Sequence, residues 1–131
     1  MIRVKATREG LAGHKTATGY HIESDVPFVA LPSTAALRLW VRVHNPRNNR
    51  TVRALVLDVG PWWETDHAYV FQFATDPDSG LTVPAETVRP RAESGPDPLG
   101  RVTNGAGIDL SEWCWVRLGM TDNTEVGWRF D

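Results

Sequence analysis

Two aspartates stand in settings where a carboxylate can take part in proton transfer. Asp58 follows an apolar strand pattern and precedes Val-Gly-Pro, while Asp109 stands in Gly-Ile-Asp-Leu-Ser at the start of a helical pattern. Cleavage of a glycosidic bond needs a carboxylic acid to protonate the departing oxygen, and inverting hydrolysis adds a second carboxylate about 6.5–9.5 Å away. One acid/base is enough where the sugar's own 6-hydroxyl replaces water. Asp109 and Asp58 are therefore the candidate catalytic residues, provided that the fold brings them together.

Each aspartate also has a structural interpretation, which the sequence leaves open. Asp109 and Ser111 stand where a helix begins, and both residue types cap the free N–H groups of a first turn. Asp58 precedes a Gly-Pro pair, where an aspartate side chain commonly organises a turn. Glu64, Asp66 and Glu93 are further acids in expected loops, and we interpret them as solvated.

The chain holds six tryptophans, and two of them follow the first aspartate directly. Trp62 and Trp63 fall in an expected loop, where burying both rings is difficult, so they are candidate platforms for stacking on sugar rings. The other four stand in periodic segments, where packing is the usual role of tryptophan. These are Trp40, Trp113, Trp115 and Trp128.

No metal site or cofactor is expected. The histidines, His14, His21, His44 and His67, show none of the close spacings typical of metal ligands, and Cys114 is the single cysteine. Cys114 lies inside a helical pattern, which favours a buried and unreactive thiol.

Short alternating segments broken by turn residues predict an all-β chain with one or two short helices. We expect strands near 4–7, 38–44, 51–57, 68–73 and 124–130, with the second and third forming a hairpin. A short helix is expected at 33–37, and a longer one begins at Asp109 or Ser111 and stops at Gly119. Residues 90–107 are rich in glycine and proline and predict a long loop.

The chain length of 131 residues allows one domain, which we expect to span 1–131. A net charge of −2 supplies no basic field for nucleic acid, so we expect no nucleic-acid partner. No segment is apolar enough to predict insertion into a membrane, and the N-terminus lacks the pattern of a signal peptide. A phage-borne protein, or one acting at the bacterial cell envelope, would fit this pattern, but the location and the oligomeric state stay open.

Five short motifs occur in an order that resembles the RlpA-like double-psi β-barrel family. They are Thr16-Ala17-Thr18-Gly19, Leu31-Pro32, Asp58-Val59-Gly60-Pro61, Gly107-Ile108-Asp109-Leu110-Ser111 and Leu118-Gly119. Each motif alone is common, and the specificity lies in the ordered set. The family pattern has a histidine four residues before the proline of Leu-Pro, and Phe28 stands there in this chain.

The resemblance implies a six-stranded double-psi barrel with a glycan groove, as in expansins and MltA-like lytic transglycosylases. It implies Asp109 as general acid and Asp58 as its assistant, with peptidoglycan or another polysaccharide as partner. Thr16, Thr18 and Ser111, which belong to the motifs, are further candidate substrate-binding residues beside the two tryptophans. The preferred activity is cleavage like that of a lytic transglycosylase. A non-catalytic expansin-like module, or a structural barrel of a phage particle or secretion apparatus, is the alternative.

Overall fold

In a computed structural model, which describes residues 1–9, 15–19, 25–85 and 87–131, six strands close into a barrel. His14 and His21 lie outside the described residues. In chain order the strands and helices are β1 (Ile2–Arg8), β2 (Phe28–Leu31), β3 (Trp40–Asn45), β4 (Arg50–Val59), α1 (His67–Phe71), β5 (Phe73–Thr75), β6 (Thr82–Pro84), β7 (Ile108–Leu110), α2 (Glu112–Arg117) and β8 (Glu125–Phe130). Two 3₁₀ turns cover Thr34–Ala36 and Arg91–Glu93. Outside the barrel, β5 and β6 pair with each other.

The strands follow one another around the barrel in the order β1, β7, β2, β4, β3, β8. β7 lies between β1 and β2 and is parallel to the first and antiparallel to the second. β2 likewise lies between β4 and β7, and it is parallel to β4. β7, from the second half of the chain, is thus inserted between β1 and β2 of the first half, and β2 in turn separates β7 from β4. The predicted all-β, six-stranded double-psi barrel with one or two short helices is confirmed, whereas the helix expected at 33–37 is only the 3₁₀ turn Thr34–Ala36.

The barrel interior is filled by alternate residues of the strands, as a closed sheet requires. Val41 and Val43 of β3 and Ala54 and Val56 of β4 are fully buried and belong to one hydrophobic core. The predicted hairpin is confirmed, because β3 pairs with β4 from Trp40–Leu55 to Asn45–Arg50. One core shared by all six barrel strands makes the fold a single domain.

The predicted strand at 68–73 is wrong. Residues 67–71 form α1, and a strand begins only at Phe73. The alternation of Tyr69, Phe71 and Phe73 imitated a strand, but the fold buries the adjacent Tyr69 and Val70 together, as one helical turn allows. The Tyr69 hydroxyl donates to the carbonyl of Gly107 and accepts from Nε1 of Trp128. These long-range bonds hold the segment in its helical form.

The predicted C-terminal helix is present, but it starts later than Asp109. Asp109 lies in β7, and Ser111 is the N-cap, whose hydroxyl accepts from the backbone N–H of Cys114 at 3.4 Å. Gly119 follows the helix with φ of 67°, a conformation that glycine adopts without steric cost. The predicted stop at this residue is confirmed.

The tryptophans expected to pack do so to different extents. Trp128 and Trp115 are buried, and Trp113 packs against the core. Trp40 is 41% exposed, with the guanidinium of Arg53 over its ring. The prediction of a packing role therefore holds for three of the four residues.

Candidate active site

Four residues of neighbouring strands form a row on the outward-facing side of the barrel strands, where Thr7 and Ala30 are buried and the two aspartates are partly exposed. Thr7 of β1 pairs with Asp109 of β7, which pairs with Ala30 of β2, which in turn pairs with Asp58 of β4. Adjacent strands lie about 4.8 Å apart, so the Cα atoms of the two aspartates are separated by roughly 10 Å. The fold brings the two candidate catalytic residues to one level of the barrel, with a small alanine between them.

A β-bulge turns Asp58 toward this row. Val29 pairs with Val56, but the next residue of β2, Ala30, pairs with Asp58, so Leu57 is an additional residue in β4. Strict alternation would point Asp58 inward together with Ala54 and Val56. The additional residue reverses the alternation and places Asp58 on the face of Ala30 and Asp109.

The carboxylate of Asp109 is partly buried at the centre of the row. Thr7 donates a hydrogen bond to its Oδ1, and Gly60 lies next to its Oδ2. A Cβ atom added at Gly60 would stand 3.7 Å from this oxygen, and φ of 145° already requires glycine there. Burial raises the pKa of Asp109 to about 6, against the hydrogen bond from Thr7, and the charge of Asp58 adds to the rise.

Glu9 is a third carboxyl at this site, and it was not predicted from the sequence. Its backbone N–H donates to the carbonyl of Leu110, just beyond Asp109, and its side chain is hydrogen-bonded to Asp58. Burial raises the pKa of Glu9 to about 9, and the hydrogen bond to Asp58 and the charges of Asp58 and Asp109 act in the same direction. Glu9 therefore holds a proton at neutral pH, as expected where carboxyls share one site.

Glu9 also leaves one polar atom unsatisfied. The residue is 8% exposed, and Oε2 has no hydrogen-bond partner among the described residues. A sequence signal was available, since Glu9 directly follows the alternating segment of β1 as Asp58 follows that of β4. A carboxylate at the end of an apolar strand pattern is the signal that predicts a role for Asp58, and the same signal applies to Glu9.

The threonine motif borders the site and fixes Asp58. The backbone N–H groups of Ala17 and Val59 donate to Oδ1 of Asp58 at 2.8 and 2.9 Å. Thr18 donates to the carbonyl of Leu57, and its hydroxyl lies 2.8 Å from that of Thr16. The two threonines thus hold the segment 15–19 against the end of β4. Because the Asp58 carboxylate fixes these backbone groups, the interpretation of Asp58 as a residue that organises a turn holds as well.

The two candidate stacking residues follow Gly60 in the same loop. Trp62 is partly exposed in a left-handed conformation with φ of 70°, which is costly for a bulky residue and is often kept at functional sites. Its Nε1 donates to Oδ1 of Asn104 at 2.9 Å, and the Arg101 guanidinium lies 5.7 Å from the ring. Trp63 has a buried Nε1 with no partner among the described residues. Trp62 is the better placed of the two to meet a ligand.

The comparisons with known proteins are consistent with this architecture. Residues 1–128 match the sequence profile described as "Domain of unknown function (DUF8814)". The chain belongs to the DUF8814 family. No curated protein matches it in sequence. Among solved structures, this DUF8814 domain is similar to the "Streptomyces papain inhibitor (SPI)", with a TM-score of 0.51 and 17% identity over 98% of this chain and 92% of the inhibitor. At this identity the likeness concerns the fold alone.

Two buried residues of the DUF8814 domain, the motif residue Ser111 and Phe28, stabilise the fold and do not face an open surface. Ser111 has no exposed surface, and its hydroxyl accepts from the N–H groups of Phe28 and Cys114. The expected contact between Ser111 and a substrate is therefore wrong, because the side chain is covered. Phe28, at the position of the family's histidine, is also fully buried. No chemistry that requires a polar group at that position transfers to this DUF8814 domain.

The other candidate acids of the DUF8814 domain were expected to be solvated, and this interpretation is wrong for Asp66, which is 2% exposed. Glu93 pairs with Arg89, and the buried Asp66 accepts from the backbone N–H of Arg91. Glu64 is exposed. Within the described ranges no group of three or more His, Cys, Asp or Glu side chains is arranged as a metal site, and none of the helices could span a membrane.

Proposed function

We propose that the chain cleaves glycan strands of peptidoglycan in the manner of a lytic transglycosylase, with Asp109 as general acid and base. The observation that carries the proposal is the environment of Asp109, which is partly exposed, lies in one row with Asp58 and has a pKa of about 6. An aspartate with the ordinary pKa near 3.9 is almost fully ionised at neutral pH and makes a poor acid. The environment of Asp109 keeps a useful protonated fraction.

In the proposed reaction Asp109 first donates this proton and then accepts another. The Asp109 carboxyl donates its proton to the glycosidic oxygen as the bond from that oxygen to C1 breaks. The resulting carboxylate then takes the proton of the 6-hydroxyl of the same sugar, whose oxygen forms the new bond to C1. One 1,6-anhydro end and one free hydroxyl end result, and Asp109 is protonated again.

The neighbours of Asp109 have distinct tasks in this proposal. Asp58, fixed by two backbone N–H groups, supplies negative charge near the positive charge that develops at C1. Trp62 offers a partly exposed ring in the loop next to Gly60, suited to stacking on a sugar. The ordered motifs that resemble the RlpA-like family support peptidoglycan as the first substrate to test.

The decisive experiment is mass spectrometry of the products released from purified peptidoglycan. Wild type and Asp109→Asn are compared with Asp122→Asn, a control at an exposed aspartate that pairs with Arg47. We expect anhydro-muropeptides from wild type and the control alone, with similar melting temperatures for all three proteins. Absence of products from wild type across several wall types would refute cleavage.

Pull-down on the same peptidoglycan then separates the two alternatives. An expansin-like module would retain binding in Asp109→Asn and lose it in Trp62→Ala, with Trp40→Ala as the matched control. A structural barrel would bind in none of these forms. Asp109→Asn would then change stability alone.

A further inference from the structure

A second cleft lies at the other end of β1 from the carboxylates. It encloses about 820 Å³, and residues 1–3 at the start of β1 and 128–130 at the end of β8 line it together with α1. Asp58, Asp109 and Glu9 are not among the lining residues. From Arg3 to Glu9 an extended strand covers about 20 Å, so a ligand in this cleft would be separate from the carboxylate row.

The floor of the cleft is aromatic and rigid. The rings of Phe71 and Phe130 stack with their centroids 5.2 Å apart and an interplanar angle of 14°. Trp128 meets Phe130 edge to face at 5.2 Å and is 2% exposed. Its indole N–H is already bonded to the Tyr69 hydroxyl, so the floor offers apolar surface. Phe71 keeps 36% of its surface exposed.

Among the described residues, the charged side chains that line this cleft are arginines. They are Arg3, Arg89 and Arg129. Arg89 is held by Glu93, whereas the 3.7 Å pair of Arg3 with Glu125 is largely exposed and therefore weak. Arg129 makes one long 3.5 Å hydrogen bond to the carbonyl of Phe130, and no carboxylate pairs with it among the described residues. The rim therefore keeps positive charge available above an apolar floor.

A smaller cleft of about 360 Å³ extends the apolar surface beyond the phenylalanine stack. Phe71 and Phe130 line both clefts, and Leu39 and Trp40 line the second, each with 41% of its surface exposed. An elongated apolar group that lies across the stack can contact both clefts.

We propose that this paired cleft binds an amphipathic organic anion, with its carboxylate at Arg129 and Arg3 and its apolar chain across Phe71 and Phe130. A volume in this range, apolar walls and a few oriented polar groups are typical of small-molecule sites. Charge-assisted hydrogen bonds to guanidinium groups are the usual means of holding a carboxylate. The described charged residues of the larger cleft are arginines, and Asp131, which lines the smaller cleft, is already paired with Arg42 and Arg53. The free guanidinium groups therefore favour an anion over a cation of the same shape.

The test is isothermal titration of the protein with decanoate below its micelle concentration. We expect one saturable site, displacement of bound 8-anilinonaphthalene-1-sulfonate, and no comparable binding of decanol or decyltrimethylammonium. Arg129→Gln should weaken decanoate binding about tenfold, the loss expected for one hydrogen bond to a charged group. Arg117→Gln, a control at an exposed arginine over Trp113, should bind like wild type.

Two further variants test whether a change in decanoate binding is caused by unfolding or by the proposed catalytic site. Phe71→Ala should weaken binding, and circular dichroism at the titration temperature should show that the variant is still folded, because the side chain is partly exposed. Asp109→Asn should bind decanoate as wild type does. Equal binding of the ammonium analogue, unchanged binding by Arg129→Gln or the absence of a saturable site would each overturn the proposal.

Discussion

The hydroxyl of Thr7 donates a hydrogen bond to Oδ1 of Asp109 across the parallel pair of β1 and β7. This bond favours the ionised carboxylate and opposes the rise in its pKa. Thr7→Val keeps the shape and removes the donor, so the pKa of Asp109 should rise above its value of about 6. Carbon-13 NMR titration of the carboxyl measures this shift directly.

The same variant has a kinetic consequence if Asp109 is the general acid. Its protonated form should persist to higher pH, so the alkaline limb of the activity profile should move upward together with the pKa. Thr51→Val, at an exposed threonine of β4, serves as control. If the alkaline limb of the activity profile stays at the same pH while the pKa of Asp109 rises, Asp109 is not the general acid.

Glu9 should make stability fall as pH rises. Its pKa is about 9 in the folded protein and near 4.5 in the unfolded chain, so the folded state retains a proton across this window that the unfolded chain releases. One such proton lowers the free energy of unfolding by up to about 1.4 kcal/mol per pH unit. Glu9→Gln cannot titrate, so its urea-unfolding free energy should depend less on pH between 5 and 8.

The control for Glu9 is Glu64→Gln, at an exposed glutamate. It should retain the wild-type slope of unfolding free energy against pH. Parallel slopes for wild type and Glu9→Gln would show that Glu9 does not carry the retained proton.

Tyr69→Phe should be markedly destabilising. The buried hydroxyl donates to the carbonyl of Gly107 and accepts from Nε1 of Trp128 at 2.7 Å, so its removal leaves two buried polar groups unpaired. We expect a loss of about 2 kcal/mol or more in the free energy of unfolding. In a double-mutant cycle with Trp128→Phe the two losses should not add, and strict additivity would contradict the coupling.

Cys114 should be inert in the folded protein. Burial raises the pKa of its thiol to about 11, and the side chain has no exposed surface. Iodoacetamide at pH 8 should leave native protein unlabelled and react once within the urea-unfolded chain. Rapid labelling under native conditions would show that α2 opens readily.

The strong local patterns of the sequence predicted much of the barrel. The alternation of β3 and β8 and the turn after Asn45 are local signals, and each appears close to its predicted place. β2 and β7 have only four and three residues, too few for alternation to be recognised. Their positions depend on pairing with distant strands, which no local pattern contains.

The candidate site was predicted only in part for a related reason. Asp58 and Asp109 were selected by their local motifs, but their common level depends on the bulge at Leu57 and on the order of the strands. Ser111 has the residue type of both a cap and a substrate contact, and only its burial decides between them. Glu9 was missed because it belongs to no motif, although it directly follows the alternating strand β1.

The interlocked strand order also determines when this chain can fold during its synthesis. The neighbours of β1 in the barrel are β7 and β8, so β1 pairs with strands that the ribosome completes only after residue 107. Contacts of such long sequence separation close slowly. β1 therefore stays unpaired in the nascent chain until β7 and β8 have been made. During that interval its free edge can pair with strands of other chains, and closure of the barrel removes this edge.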